Sequence, residues 1–249
     1  TMLVLVTPVS LLPLYALGAG ILLRKAFKSD DRRQATTAFL VLVWILLPLL
    51  YVMIKRPVIH DGVRLFLFLL PALALVSGLG GDQLSRFGLR GQRWVGVALV
   101  ILSLATAFLA QARWHPYQYA FLNRLTGERA SLHTRFETDY WATSYRAMAE
   151  FISAHQEHSE KSLNVLVGLN PLALMCFTHF AHPKIEARPL LGVTPEQTLP
   201  ASVDYAALIP RYMMWKNFPQ SPVVFEVRRE GVLLGWIRSH DHKLELSSP

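Results

Sequence analysis

Thr36-Thr37-Ala38-Phe39-Leu40-Val41-Leu42-Val43-Trp44-Ile45-Leu46-Leu47-Pro48-Leu49-Leu50-Tyr51-Val52-Met53-Ile54 runs nineteen residues without a charge. A helix needs about 20 predominantly apolar residues to cross a hydrocarbon core of about 30 Å. Three further uncharged runs, residues 2–23, 65–81 and 94–112, meet the same requirement, the third run of the four (65–81) only just. Lipid offers no partner to a backbone N–H or C=O, so each run is expected to be helical. The prolines at 8, 13, 48 and 71 are compatible with this, because spanning helices tolerate proline better than soluble ones. Four such runs within 112 residues argue for lipid rather than for buried helices of a large soluble core.

Composition divides the chain at the same place. Of its 249 residues 52% are apolar and 17% charged, against about 25% charged in an ordinary soluble domain. Residues 1–112 hold 11 Lys/Arg and 4 Asp/Glu, whereas residues 113–249 hold 14 and 13. The basic character therefore belongs to the first half, spread over short loops. That distribution argues against a nucleic-acid binder, which gathers its cations on one folded face. The apolar content argues against disorder. The expected fold is membrane α-helical, four spanning helices in residues 1–112, followed by a small α/β extracytoplasmic domain in residues 113–249.

The loops set the expected orientation. Residues 24–35 carry Arg24, Lys25, Lys28, Arg32 and Arg33, and residues 82–93 carry Arg86, Arg90 and Arg93. The intervening loop, 55–64, has three cations. The positive-inside rule places the first two loops in the cytoplasm. Loop 55–64 and everything after residue 112 then lie outside, which for a bacterial inner membrane is the periplasm. Residues 2–23 lack the basic leader and small-residue cleavage site of a signal peptide. The chain, which starts at Thr1, reads as the C-terminal portion of a longer multi-pass protein.

Beyond residue 113, Thr138 or Asp139 is expected to cap a helix running to about Gln156. Trp141, Tyr145, Met148 and Ile152 fall on one face of it and are expected to be buried. Asp139 is expected to be exposed at the helix start, where its charge suits the dipole. Residues 162–168 read as a buried strand, and Asn170-Pro171 as a cap and first helical residue. Short strands are expected near 184–188 and 203–209, with a hairpin of 223–228 and 232–238 across Glu230-Gly231.

Little of the familiar soluble chemistry is present. The turn Gly168-Leu169-Asn170-Pro171 lacks the later glycines of a dinucleotide fingerprint. The pairs His155/His158, His179/His182 and His240/His242 come without the three or four ligands of a zinc site, so no metal is expected and the cofactor stays unknown. Cys176, alone among Leu174, Met175 and Phe177, has no internal disulfide partner. Transporters usually need charge inside a span, and the four runs have none.

Two places remain. The outer loop Lys55-Arg56-Pro57-Val58-Ile59-His60-Asp61-Gly62-Val63-Arg64 collects cations at headgroup height, where simple interfacial anchoring is the plain alternative. The aromatics of Trp114-His115-Pro116-Tyr117-Gln118-Tyr119 fit an interfacial belt. That explanation fits the acidic-aromatic cluster Glu137, Asp139 and Trp141 poorly.

These places carry a resemblance. The phrase from Asp61-Gly62-Val63-Arg64 through Pro71, then His115-Pro116-Tyr117-Gln118-Tyr119-Ala120-Phe121-Leu122-Asn123, then Phe136-Glu137-Thr138-Asp139-Tyr140-Trp141-Ala142-Thr143-Ser144-Tyr145 resemble the C-terminal half of bacterial multi-pass glycosyltransferases of the GT-C class. That class includes relatives of the protein O-mannosyltransferases and of the lipid A aminoarabinose transferase. Relatives often carry a His directly after the Arg of the first phrase, where this chain has Leu65. The resemblance implies a polyprenyl-phosphate sugar donor, a glycan, lipid or protein acceptor, and a catalytic carboxylate in an upstream outer loop, outside these residues. It also suggests a role for Arg64. A guanidinium fork can grip a phosphate through two hydrogen bonds, with Asp61 orienting it and His60 adding a donor. A membrane protein without catalytic activity, whose outer domain binds a ligand or partner, is the alternative.

Overall fold

A computed structural model describes residues 2–57, 64–86, 93–156 and 161–240. They form two compact units, divided between Thr126 and Gly127.

The first unit holds four helical segments long and apolar enough to cross a membrane: Val9–Lys28, Arg32–Lys55, Leu65–Arg86 and Arg93–Arg113. The first differs from the run expected at 2–23. Helix α1 (Met2–Leu5) stops before Pro8, and a 3-10 turn (Val9–Leu11) then leads into α2 (Leu12–Lys28). Pro8 has no N–H to give and crowds the carbonyl four residues back, which ends the short helix. At the other end α2 continues through Lys25 and Lys28, cations that suit a helix C-terminus. Asp31 then caps α3 (Arg32–Lys55), its carboxylate accepting from the backbone N–H groups of Arg33 at 2.9 Å and Gln34 at 3.3 Å. A 3-10 run (Arg64–Leu69) opens α4 (Leu70–Arg86), and α5 (Arg93–Arg113) follows.

Small residues let these helices meet at backbone distance. A Cβ built on Gly18 of α2 would lie 1.8 Å from the Val76 carbonyl oxygen of α4, and one on Gly80 would lie 2.0 Å from that of Leu14. Where helices do lie in lipid, with no hydrophobic drive between them, close packing of this kind is a main source of association.

Residues 113–126 belong to this unit as well, so it ends fourteen residues after the last residue of the hydropathic runs. Part of the reason is Asn123. Its side-chain amide donates to the carbonyls of Val4 (2.6 Å) and Thr7 (2.7 Å), and its backbone N–H donates to Leu5 (2.8 Å). Val4 and Leu5 lie in the last turn of α1, where helix carbonyls lack intrahelical partners, and Thr7 follows just beyond it. Trp114 and Tyr117 are buried rather than standing out as a belt, and Trp114 meets Phe121 edge-on at 5.7 Å.

The second unit is a small α/β domain. Strands β1 (Leu163–Gly168), β2 (Ile185–Leu190), β3 (Tyr205–Leu208), β4 (Val223–Arg229) and β5 (Val232–Ser239) form one sheet in the order β2-β1-β3-β5-β4. β1 is parallel to β2 and β3, while β5 is antiparallel to β3 and β4. Asn170 caps α7 (Pro171–Phe180) by accepting from the Ala173 N–H at 2.9 Å. Glu230 and Gly231, both at positive φ, close the β4–β5 hairpin as a primed turn requires. Ala206, Leu208, Phe218 and Trp236 anchor one cluster of the core.

Helix α6 is Tyr145–Gln156, with Tyr145, Met148 and Ile152 fully buried as the spacing predicts. Two expectations at its start fail. The helix begins at Tyr145 and not at residue 138 or 139, so Trp141 precedes it and is 50% exposed. Asp139, expected in water, is 0% exposed.

Candidate functional site

Asp139 sits inside because its carboxylate replaces backbone partners in the turn that enters α6. It accepts from the N–H of Thr143 at 3.1 Å, the N–H of Ser144 at 2.9 Å and the Ser144 hydroxyl at 2.5 Å. Beside it the Thr138 hydroxyl donates to the Leu233 carbonyl of β5 at 2.5 Å, and the Tyr145 hydroxyl donates to the Gly168 carbonyl at the end of β1 at 2.5 Å. Burial first, and then the charge of Asp139, hold the Tyr145 phenol well above its ordinary pKa of 10.0. These are scaffold contacts. They hold the segment against the sheet and turn its other side chains outward.

The side chains turned outward are Glu137 and Trp141, and Glu137 meets a second segment. Glu137 lies 3.7 Å from the Arg211 guanidinium and accepts from the Tyr212 N–H at 3.4 Å. Arg211, its side chain 15% exposed, donates to the Tyr140 carbonyl at 2.5 Å and lies 4.9 Å from the centre of the Tyr212 ring. The Tyr140 and Trp141 rings are 6.2 Å apart.

The segment that carries Arg211 is held in an uncommon shape. Tyr212 (φ 52°, ψ 35°) and Met213 (φ 57°, ψ 26°) are consecutive left-handed residues, neither of them glycine. Left-handed backbone costs a non-glycine residue about 1–2 kcal/mol. Here buried Met214 and Asn217 anchor the segment, and the result is to present Tyr212 and Met213 to solvent. Strain of this kind collects at ligand clamps and active sites.

The second unit thus presents a carboxylate–guanidinium pair flanked by exposed Trp141, Tyr212 and Met213. Of the expected cluster, Glu137 and Trp141 are accessible to a ligand, whereas Asp139 is not. Arg211 and Tyr212 had no signal in the sequence, since their partner lies more than seventy positions away.

The loop expected to grip a phosphate is described only at its edges. His60 and Asp61 lie outside the described residues, and Arg64 opens the 3-10 run before α4. Among the described residues no three His, Cys, Asp or Glu side chains come together as a metal site would require. No family model matches the chain, and neither a curated protein nor a solved structure matches it.

Proposed function

We propose that the chain is the C-terminal portion of an integral-membrane glycosyltransferase. It moves a sugar from a polyprenyl-phosphate donor to a glycan, lipid or protein acceptor at the periplasmic face of a bacterial inner membrane. One observation carries the reading: the phrase from Phe136 to Tyr145, on which the resemblance rests, folds so that Glu137 and Trp141 face solvent beside Arg211 and Tyr212. Sugars offer apolar C–H faces and rings of hydroxyls. An exposed indole supplies the flat apolar partner. A carboxylate accepts from hydroxyls and a guanidinium donates to them. The four apolar helices suit a donor whose tail is in lipid. In this reading Arg64, with Asp61 and His60, grips the donor phosphate at the membrane surface, while Glu137, Trp141 and Arg211 hold a sugar.

The test uses the full-length protein in proteoliposomes, supplied with polyprenyl-phosphate hexoses and pentoses and an envelope extract as acceptor. Glu137→Gln removes one charged hydrogen-bond acceptor, about 1.5–3 kcal/mol, and should lower transfer by roughly 10- to 100-fold. Trp141→Ala should lower transfer while leaving expression and protease resistance intact, because its ring is half exposed. Arg64→Lys should insert normally and lose donor binding, whereas simple headgroup anchoring leaves it active. Transfer from no donor, together with saturable glycan binding that Trp141→Ala abolishes, would establish the non-catalytic alternative instead.

A further inference from the structure

The first unit contains a groove that the glycosyltransferase reading leaves unused. Helix α2 packs against both α3 and α4, while α3 and α4 scarcely touch. The gap between them is a cavity of about 700 Å³, floored by Leu22 of α2 and walled by Val41 of α3 and by Leu75 and Gly78 of α4. Its lining changes character along its length. The apolar walls end in a mouth formed by Lys25 and Arg33, with the Gln34 amide beside them. Asp82 also reaches the mouth, but Arg86 matches its charge through an ion pair at 2.9 Å, so Lys25 and Arg33 leave the mouth cationic. Among the described residues neither Lys25 nor Arg33 has an anionic partner within the chain. This mouth is at the end of the helices where residues 24–35 meet 82–86, away from Arg64 at the start of the 3-10 run that leads into α4.

An apolar trough with a doubly cationic end complements a molecule with an apolar chain and an anionic head. Basic pockets between spanning helices on the cytoplasmic side are where anionic phospholipid headgroups bind, and the positive-inside rule puts this mouth on that side. We propose that the groove holds an anionic glycerophospholipid of the surrounding leaflet, one acyl chain lying between α3 and α4 and its phosphate seated on Lys25 and Arg33. Gln34 is placed to donate to an ester or headgroup oxygen. The lipid fills the gap that α3 and α4 leave, and so joins two helices with little direct contact. The proposal requires that these helices lie in a bilayer, and it is independent of any transfer activity.

The groove also contains its own control. A Cβ added at Gly78 meets nothing within 4 Å, and Gly78 lines the trough, so Gly78→Leu extends a side chain into the space the acyl chain would take. The full chain would be reconstituted in nanodiscs of equal phosphatidylcholine and phosphatidylglycerol with matched acyl chains, and the retained lipid counted by native mass spectrometry. Phosphatidylglycerol should be retained preferentially. At about 1 kcal/mol per cation, Lys25→Gln with Arg33→Gln should reduce that preference about 30-fold. Gly78→Leu should abolish retention with every charge in place. Lys28→Gln with Arg32→Gln, outside the groove lining, should leave it intact. Equal loss from both charge pairs, or full retention in Gly78→Leu, would overturn the proposal in favour of diffuse surface attraction. A groove filled by a second copy of the chain, or one that takes polyprenyl phosphate over phosphatidylglycerol, would overturn it as well.

Discussion

Replacing Asp139 tests the inversion at the start of α6 most directly. Its carboxylate is fully buried and satisfies three donors: two backbone N–H groups and the Ser144 hydroxyl. In Asp139→Asn one oxygen remains for the Thr143 N–H. An NH2 then faces the Ser144 N–H, and the Ser144 hydroxyl can turn to accept from it. One buried N–H is left without an acceptor, at a cost of about 1–3 kcal/mol. In Asp139→Ala all three donors lose a charged partner, at about 1.5–3 kcal/mol each, offset by no longer burying a carboxylate. The expected loss is about 3–5 kcal/mol, a large share of a domain's usual 5–15 kcal/mol. Pulse proteolysis of the full chain in rising urea, reading cleavage within residues 127–249, measures both. Ser144→Ala alone should cost about 1 kcal/mol, and its combination with Asp139→Ala should be less than additive because the pair shares a hydrogen bond. A loss of under about 0.5 kcal/mol in Asp139→Ala, the range of an ordinary surface site, would refute the scaffold role.

Gly18→Ala should lower the thermal midpoint of the detergent-solubilised chain by pushing α2 from α4, at about 1–3 kcal/mol. Gly20→Ala, whose Cβ meets nothing within 4 Å, should not lower it, and equal effects would discredit the close crossing. Alkaline unfolding should report Tyr145. Its pKa is raised by burial and then by Asp139, so the unfolded chain releases this proton first, near pH 10.0. The stability it contributes is complete below that pH and is lost as pH rises through the folded pKa. Tyr205, raised by burial and then by Asp204, acts in the same direction. Tyr145→Phe should flatten the alkaline loss while costing about 1 kcal/mol at neutral pH, since the Gly168 carbonyl loses its donor. In a Cys176→Ser background, a cysteine at exposed Ser202 should react with an impermeant thiol reagent once the outer membrane is permeabilised. Cysteines at Ser29 and Ser85 should stay protected, and the opposite pattern would invert the orientation expected from the loop charges.

The helices long enough to cross a membrane were readable because hydropathy sums over about 20 residues, and no single residue overturns such a sum. The hairpin at Glu230-Gly231 and the cap at Asn170 were readable because each is decided within a few positions. The break at Pro8 was local too, yet it fell inside an unbroken apolar run, where hydropathy carries no information about helix continuity. The start of α6 failed for a different reason. Asp139 has the chemistry of a cap, and a cap bonds N–H groups two or three positions ahead. Here it bonds those four and five ahead, because Ala142 takes a left-handed turn (φ 60°) in between. An alanine carries no sign of that conformation, so the helical spacing was extended back to Trp141.

One unforeseen turn therefore accounts for two errors, and together they move the chemistry. A helix from residue 139 would bury the indole and offer the Asp139 carboxylate to solvent. The turn at Ala142 buries that carboxylate against backbone donors, where it stabilises the entry to α6 and no substrate can reach it. The carboxylate left for a ligand is Glu137, and it comes already paired with Arg211 from a distant loop. Glu137 already accepts from the Tyr212 N–H and lies 3.7 Å from the Arg211 guanidinium, so both neighbours meet it as an acceptor. On the proposed reading, that acceptor geometry suits Glu137 to holding a hydroxyl-rich ligand. That leaves catalysis to a carboxylate outside these residues, as the resemblance implies.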